Sequence, residues 1–352
     1  MSNIKKTIVI LTPGFPEDEN DTTCLPLHQS FVQTLKEMFP EINTIVLALQ
    51  YPYKKRQYSW WNTEVISFNG RNKRGLFKYI LRQKLYKTLN SINKHSDKTV
   101  LLSLWYGESA LIAKKYADKN HIKHFCWLQG QDAKKNNPFP MKVKLTSDKI
   151  IALSDFLQDE FEKNHGTKPQ HVIPPGIDTR KFSEAVPDKS IDILGAGSLI
   201  SLKQYDSFLN IVAEIKKVFP ELKVMLIGSG PEKDNLEKLI RELKLEKNVT
   251  LTGELSYGEV LKKMQQAKVF LHTSCYEGFG MVCQEALYAG ARVISFNRPL
   301  KTSIRNWDIV NSDEEMMSRA LEILLDYQNT FEKVLPFTIE ETTSKMVKLF
   351  FE

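Results

Sequence analysis

The stretch that decides the fold is Glu277-Gly-Phe-Gly-Met-Val-Cys-Gln-Glu285, a glycine-rich segment with a glutamate at each end. The apolar run Val269–Leu271 before it predicts a strand, and the helix formers at 281–289 predict a helix after it. Gly278 and Gly280 allow the backbone to turn tightly and to come close to a ligand. The free N–H groups at the start of the predicted helix suit an anion such as a diphosphate.

The two glutamates of this segment indicate its chemistry. Glu285 falls about one and a half turns into the predicted helix, where its two carboxylate oxygens can accept from a vicinal diol such as a ribose. Glu277 lies on the loop, where it can meet sugar hydroxyls. The alternative is a plain strand–loop–helix unit with two surface glutamates, but the strand, the glycines, the helix and the spacing all agree.

The segment resembles the E-x7-E signature of the retaining GT-B glycosyltransferases of family 4, also called glycosyl transferases group 1. The resemblance implies an α/β protein with the GT-B fold, in which two Rossmann-like, doubly wound parallel-sheet domains face each other across a cleft. It also implies a nucleotide-sugar donor and a glycan or lipid-linked glycan as acceptor.

Strand-like and helix-like segments alternate along the whole chain, which predicts parallel sheets independently of the resemblance. The Pro174-Pro175-Gly176 run and the polar connector 187–190 interrupt this alternation and predict a hinge. We therefore expect an acceptor-side domain at 1–185 and a nucleotide-sugar-binding domain at 186–335. By resemblance, a helix at 336–352 crosses back to the first domain.

The composition is that of a soluble globular protein, because 42% of the 352 residues are hydrophobic and 26% are charged. The four cysteines include no C-x-x-C pair, which indicates free thiols in a reducing compartment. No apolar run approaches the roughly 20 residues of a transmembrane helix. We therefore expect a cytoplasmic protein.

A glycine turn after the strand-like run 191–194 is the second donor-side motif. It contains Gly197 and Ser198, and Lys203 follows six residues after Gly197. A dinucleotide fingerprint would need a glycine where Ile200 stands, so the turn does not indicate a dehydrogenase. In the family that this chain resembles, an arginine and a lysine here hold the donor diphosphate. Lys203 matches the lysine and Ser198 replaces the arginine; the alternative is an ordinary surface lysine.

Two further turns match positions that face the nucleotide in this family. Gly228 and Gly230 follow an apolar strand, and Leu255 lies in the segment whose backbone reads the nucleobase. The alternative for the first of them is a plain tight turn. By resemblance, the predicted donor-binding residues are Gly14, Gly197, Ser198, Gly228, Gly230, Leu255, Gly278, Phe279, Gly280 and Glu285, and the predicted catalytic residues are Lys203, Glu277, Asp132 and Gln129.

Gln129 and Asp132 lie in a loop after the strand-like run 125–128. In the family this loop often carries a histidine close to the reacting sugar, at the position of Gln129. An amide can hydrogen-bond a sugar hydroxyl but cannot act as a base at neutral pH. Asp132 would orient donor or acceptor; the alternative is a turn in which Asp132 caps a helix.

Gly14 ends the first predicted strand and matches a family loop that approaches the diphosphate from the first domain. The acidic run Glu17–Asp21 follows it. Adjacent acids on a loop are usually solvated, and no histidine spacing such as H-E-x-x-H accompanies them. We therefore expect no metal site and no cofactor, the nucleotide sugar being a substrate.

Residues 54–98 form a basic segment with 12 basic and 2 acidic residues, so their excess of positive charge exceeds the +7 of the whole chain. The predicted helix at 75–92 carries an apolar stripe, and Tyr and Trp residues precede it. This combination predicts contact with an anionic membrane, on the inner face of the cell membrane. The alternative is a solvated helix packed on its domain. Nucleic acid is not expected, because no recognised motif accompanies the patch.

Together these features predict a metal-independent glycosyltransferase, retaining by resemblance, that moves a sugar from a nucleotide donor to a hydroxyl of a glycan or lipid-linked glycan in cell-surface polysaccharide synthesis. One alternative is a nucleotide-sugar epimerase or hydrolase on the same fold. Another is a non-catalytic nucleotide-sugar-binding or membrane-binding scaffold, which the replacement of the usual arginine and histidine by Ser198 and Gln129 favours.

Overall fold

The structure is a computed structural model that describes residues 4–184, 188–326 and 330–352. The predicted boundary between residues 185 and 186 and Pro187 of the predicted connector lie outside these ranges.

The chain divides into two compact units, which are described separately. Unit 1 comprises Met1–Gly176 and Ile339–Glu352, and unit 2 comprises Ile177–Thr338. The first division therefore falls directly after the Pro174-Pro175-Gly176 run, and the chain enters unit 1 a second time for its last helix.

Unit 1 is built on a sheet with the strand order β3-β4-β2-β1-β5-β6-β7-β8. Neighbouring strands pair in parallel except β3 with β4. The central strand is apolar without alternation, as expected of a parallel strand covered on both faces, and Ile8 to Leu11 are fully buried. The strands are β1 (Lys6–Gly14), β2 (Asn43–Tyr51), β3 (Arg56–Trp60), β4 (Thr63–Ser67), β5 (Lys98–Leu104), β6 (Lys123–Trp127), β7 (Ile150–Ala152) and β8 (His171–Val172).

The helices of unit 1 lie between these strands, and the last helix of the chain joins them by packing against α1. Phe350 of that last helix is fully buried, and its ring lies 5.3 Å from the ring of Phe125. The helices are α1 (Pro26–Met38), α2 (Leu76–Lys94), α3 (Glu108–Asn120), α4 (Phe139–Val143), α5 (Asp155–His165) and α11 (Ile339–Phe351).

The antiparallel hairpin of β3 and β4 is not expected from the sequence. Its two-residue turn is Trp61-Asn62, and both residues are left-handed, with φ of 43° and 59°. This is the conformation that a tight hairpin turn requires. Because the usual glycine is missing from the turn, no hairpin signal is present at this place in the sequence.

Unit 2 is a fully parallel sheet with the strand order β11-β10-β9-β12-β13-β14. Helices α6, α7 and α10 share one core, and α8 packs on α9. The strands are β9 (Ile191–Ala196), β10 (Val224–Ile227), β11 (Val249–Gly253), β12 (Ala267–His272), β13 (Arg292–Ser295) and β14 (Trp307–Ile309). The helices are α6 (Tyr205–Val218), α7 (Lys233–Glu242), α8 (Tyr257–Gln266), α9 (Met281–Tyr288) and α10 (Asp313–Leu325).

The register of this sheet brings three predicted donor-side turns together. Ile227, the last residue of β10, pairs with Ala196 on one side and with Gly253 on the other. The loops after β9, β10 and β11 therefore start side by side at the carboxyl edge of the sheet, where ligands bind in doubly wound folds. Within the described residues, no helix is both long and apolar enough to cross a membrane.

Candidate active site

The signature segment forms the strand–turn–helix unit that the sequence predicts. The chain leaves β12 at His272, turns through residues 273–280 and enters α9 at Met281. Gly280 caps the helix in a left-handed conformation, with φ of 92°, which glycine adopts without strain. The amino terminus of α9 therefore begins at the carboxyl edge of the sheet, as an anion site requires.

Glu277 and Lys203 are in direct contact, although they are far apart in the sequence. The Nζ of Lys203 donates to Oε1 of Glu277, and about a sixth of each side chain is exposed. His272 approaches the same carboxylate oxygen, with its Nε2 3.2 Å away. Two of the predicted catalytic residues thus meet at the mouth of the glycine turn, together with a histidine that the sequence analysis did not identify.

The charge of Glu277 is stabilised by these neighbours. Burial by itself raises the pKa of the carboxyl, but the contact with His272 and the positive charge of Lys203 outweigh it and lower the pKa to about 2. Burial lowers the pKa of His272, so its imidazole is neutral near pH 7. The site therefore holds one carboxylate, one lysine and one uncharged ring.

Lys203 is held in place by its own main chain. The carbonyl oxygen of Lys203 accepts from Oγ1 of Thr273 at 2.8 Å, and that of Leu202 accepts from the N–H of Cys275 at 3.2 Å. These bonds tie the turn at 201–203 to the loop that carries Glu277. The lysine consequently has a fixed starting point beside the amino terminus of α9.

The glycines of the predicted donor turns allow two loops to pack main chain against main chain. A Cβ on Gly228 would lie 1.9 Å from the carbonyl oxygen of Gly197, and one on Gly230 would lie 2.3 Å from that of Leu199. The N–H of Leu199 donates to the carbonyl oxygen of Ser229 at 2.8 Å. Close packing alone therefore accounts for glycine at positions 228 and 230, whatever ligand the turns face.

Glu285 lies inside α9 and has a partner of its own. It is 7% exposed, and its Oε1 accepts from the hydroxyl of Tyr257 at 2.8 Å. Burial raises the pKa of Glu285 to about 6, against the opposing effects of the Tyr257 hydrogen bond and the charge of Lys181. The Nζ of Lys181 also lies 5.4 Å from the centre of the Tyr257 ring. Lys181 and Tyr257 are not predicted, because neither belongs to a motif that the spacing of residues in the sequence would reveal.

Replacing Glu285 by glutamine is expected to stabilise the protein at pH 8 while weakening nucleotide binding. The folded-state pKa lies above the ordinary value of 4.5, so stability falls as the pH rises from about 4.5 through about 6 and the buried carboxyl ionises. Removing that ionisation should gain about 2 kcal/mol at pH 8 and nothing at pH 4. The amide satisfies a diol poorly, which should cost about 1–3 kcal/mol of UDP affinity.

Denaturant melts at the two pH values and calorimetric titration with UDP check these two effects separately. Glu246→Gln is the control, since Glu246 is an exposed carboxylate of the same unit. Unchanged UDP affinity in the Glu285 variant would remove Glu285 from the ribose site.

Three other predicted donor-binding residues differ in what they can offer. Phe279 is buried, with its ring 6.1 Å from that of Trp307 and 6.2 Å from that of Phe337, so its side chain belongs to the core and the prediction narrows to its main chain. Ser198 is exposed and Leu255 is half-buried at the carboxyl edge.

In unit 1, the Asp132 carboxylate holds two loops together by hydrogen bonds to their main chain. Its carboxylate accepts from the N–H groups of Tyr106 and Gly130, both at 2.8 Å, and from that of Gln129 at 3.1 Å. Burial raises the pKa of Asp132, against these hydrogen bonds, which lower it. The predicted catalytic aspartate thus joins the loops after β5 and β6, and it positions Gln129.

Gln129 is itself oriented by a buried histidine. Nε2 of His28 donates to Oε1 of Gln129 at 3.0 Å, and Nε2 of Gln129 donates to the carbonyl oxygen of Trp127 at 3.2 Å. Burial lowers the pKa of His28 to about 4, so the ring is neutral. The loop therefore has no histidine at position 129, but His28 of α1 lies directly beside Gln129.

The two ends of the acidic run after Gly14 have partners inside unit 1. Asp21 accepts from the hydroxyl of Tyr51 at 2.7 Å, and Glu17 pairs with Lys54 at 2.8 Å and lies 3.7 Å from Arg56. Among the described residues, no cluster of three or more His, Cys, Asp or Glu side chains is arranged to hold a metal ion. The basic segment thus supplies two counter-charges for Glu17.

The rest of the basic segment divides into a paired part and an exposed part. On α2, Lys78 and Arg82 both pair with Glu108, at 2.9 and 3.0 Å. The apolar stripe is also divided, because its later members are buried and its first members are exposed. The exposed large apolar residues at the start of α2 are Leu76, Phe77, Tyr79 and Ile80, which are 72%, 63%, 60% and 40% exposed, and the exposed bases beside them are Arg71, Lys73 and Arg74.

Comparison with known proteins finds a family that unit 2 matches. Residues 176–334 match the family described as Glycosyl transferases group 1. The GtfA component of the UDP-N-acetylglucosamine–peptide N-acetylglucosaminyltransferase of Streptococcus agalactiae is 32% identical over 145 residues, which are 41% of this chain and 28% of that protein. One component of the phosphatidylinositol N-acetylglucosaminyltransferase of Homo sapiens is 32% identical over 129 residues, 35% of this chain and 26% of that protein. The chain thus spans less than a third of the length of either relative.

A solved structure extends the likeness of the fold over both units. Anabaena Alr3699/HepE in complex with UDP and glucose superposes with a TM-score of 0.71 at 15% identity, covering 97% of this chain and 98% of that one. The predicted α/β fold class, GT-B with two Rossmann-like domains, is confirmed. Residues 176–334, which make up most of unit 2, match the family of glycosyl transferases group 1.

Proposed function

We propose that this protein is a retaining glycosyltransferase that moves a sugar from a nucleotide donor to a hydroxyl of a glycan or lipid-linked glycan, in the synthesis of cell-surface polysaccharide. The observation that carries the proposal is the contact of Lys203 with Glu277 at the amino terminus of α9. A cation, a helix terminus and a sugar-facing carboxylate meet there on the loop that follows β12.

The proposed chemistry follows from where negative charge grows during transfer. The leaving nucleoside diphosphate gains charge as the bond to the sugar breaks, and fixed positive groups stabilise that charge. Lys203 and the N–H groups at the start of α9 supply it from the protein. Glu277 would bind the transferred sugar and Glu285 the ribose. We propose that no metal takes part.

Similar proteins support this choice of substrates. The two relatives are named for transfer of N-acetylglucosamine, and the Anabaena protein with the same fold binds UDP and glucose. A uridine nucleotide sugar is therefore the first donor to test.

The test is product formation from a panel of UDP-, GDP- and ADP-sugars, assayed with excess EDTA and with glycan or lipid-linked glycan acceptors. We expect transfer of the sugar to an acceptor, undiminished by the chelator. Turnover of the donor without an acceptor would indicate a hydrolase or epimerase, and binding without turnover would indicate a scaffold. Loss of activity in EDTA that manganese or magnesium restores would contradict the metal-independent mechanism.

We also propose that the exposed start of α2 contacts an anionic membrane, where a lipid-linked acceptor would reside. Four large apolar side chains and three bases lie together on this surface, a combination that suits the lipid interface. Phe77 and Lys73 illustrate the arrangement, with the Lys73 Nζ 4.7 Å from the centre of the Phe77 ring. The bases that pair with Glu17 and Glu108 are excluded from the proposed surface.

Replacing Lys73 and Arg74 together by glutamine is expected to weaken binding to phosphatidylserine-containing vesicles about thirtyfold. Each well-placed base contributes about 1 kcal/mol, and the attraction should fade in 1 M salt, where the Debye length is about 3 Å. Vesicle sedimentation measures the effect. The control is the double glutamine variant of Lys115 and Lys119, two exposed lysines of α3. Equal losses in the two variants, or a parent protein that does not bind the vesicles, would show that α2 is a solvated helix with no membrane contact.

A further inference from the structure

His272 is a buried group of the site to which the proposed chemistry assigns no role. It is the last residue of β12, and it is 4% exposed. Its ring stacks on Phe270, with 6.3 Å between ring centres. The strand and this stacking fix the ring, so that Nε2 lies 3.2 Å from Oε1 of Glu277.

The contact between His272 and Glu277 is close, but it is not an aligned hydrogen bond. Among the described residues, Nε2 has no aligned hydrogen-bond acceptor, although it lies at contact distance from the carboxylate. The same oxygen already accepts from Lys203. Two donors therefore compete for one oxygen, and the lysine is the one that is bonded to it.

Binding of a diphosphate would change this balance. Under the proposed function, Lys203 turns from Glu277 to the donor diphosphate. A half-buried carboxylate that loses the cation paired with it becomes much less stable, unless another donor replaces that cation. A neutral imidazole with its proton on Nε2 is such a donor, and Nε2 already lies 3.2 Å from Oε1 of Glu277.

We propose that His272 is a positioning residue that takes over Glu277 when Lys203 moves to the diphosphate, so that the lysine is released at low cost and the carboxylate stays directed at the sugar. The inference rests on the proposed function and deepens it. It explains why a histidine follows the apolar residues Val269 to Leu271 at the end of a buried strand.

A double-mutant cycle with Glu277 tests this exchange. The measured quantity is calorimetric affinity for UDP, GDP and ADP, followed with whichever nucleotide the parent binds. His272→Leu removes the donor and should weaken binding about tenfold. His272→Gln keeps an N–H near the same position and should recover most of the loss. In a Glu277→Gln background no charge is left to compensate, so His272→Leu should change affinity less than twofold.

The possible outcomes separate the exchange from simple packing. An equal loss in both backgrounds, or no recovery with His272→Gln, would show that His272 acts only as core and would overturn the inference. If thermal melts show that His272→Leu does not fold, His272→Asn replaces it, because the shorter amide places its N–H away from Oε1. A parent that binds none of the three nucleotides would refute the proposed function, and this inference with it, whereas additive losses in a parent that binds would refute the inference alone.

Discussion

Replacing Lys203 by alanine is expected to lower turnover by roughly 10²–10³-fold, the typical effect of removing one group that stabilises transition-state charge. UDP affinity should fall much less, because the diphosphate carries more charge while it leaves than while it rests. The variant removes the cation that contacts Glu277, so thermal melts must accompany the kinetics. Steady-state turnover with saturating donor measures the effect.

The matched control is Lys238→Ala, because Lys238 is an exposed lysine of the same unit that pairs with Glu242, at 3.5 Å. Its turnover should equal that of the parent. A Lys203 variant that folds and keeps turnover within about twofold of the parent, a difference below roughly 0.5 kcal/mol, would exclude Lys203 from the chemistry.

Replacing Gly228 by alanine is expected to cost about 3 kcal/mol or more of folding stability and to abolish UDP binding. The new Cβ would lie 1.9 Å from the carbonyl oxygen of Gly197, and φ at position 228 is 147°. A clash with main chain cannot be relieved by rotating a side chain, so overpacking and backbone strain add together. Because the loop at 197–203 would have to move, Lys203 would lose its position. Urea denaturation and UDP titration measure the two effects.

Gly258 offers the contrasting substitution in the same unit. A Cβ there meets nothing within 4 Å, and the position lies in the first turn of α8. Gly258→Ala should therefore leave UDP binding unchanged and stabilise the protein by about 0.5 kcal/mol. A Gly228 variant as stable as the Gly258 variant would show that the loops at 197 and 228 do not pack as described.

Sequence can predict those parts of the site that depend on residues close together in the chain. Around Glu277, the apolar run predicts the strand, the glycines predict the turn and the helix formers predict the helix. All three lie in one short segment, and all three are present in the structure. Lys203 is identifiable through the resemblance, because it matches the lysine that follows a glycine turn in the family. Its contact with Glu277 is long-range. It arises because β9 pairs with β12, so that the loops after these two strands lie side by side.

The parts that sequence misses depend on tertiary contacts. His272 stands in a strand where apolar residues are usual, and only the fold reveals that it faces Glu277. Tyr257 lies at the start of another helix, yet it supplies the hydrogen bond to Glu285. The sequence places Asp132 in its loop alone, and the amide of Tyr106 that it binds comes from a different strand's loop.

The basic segment shows how far composition alone can lead. Its net charge predicts one uniform basic surface, but Lys54, Arg56, Lys78 and Arg82 have acidic partners inside unit 1. A sum over residues cannot distinguish a paired base from an exposed one. The start of α2 is the part of the segment where exposed bases lie beside exposed large apolar side chains.

The return of the last helix to unit 1 bears on how the chain is completed during synthesis. Unit 2 is an uninterrupted insertion whose two ends lie together, since the N–H of Ile177 donates to the carbonyl oxygen of Phe337 at 2.9 Å. Unit 1 is split, and the fully buried side chains of Met346 and Phe350 belong to α11, which follows unit 2 in the chain. The insertion can therefore fold on the ribosome while its host domain still lacks part of its core. Once folded, it holds Gly176 near Ile339 and shortens the loop that α11 must close to complete unit 1.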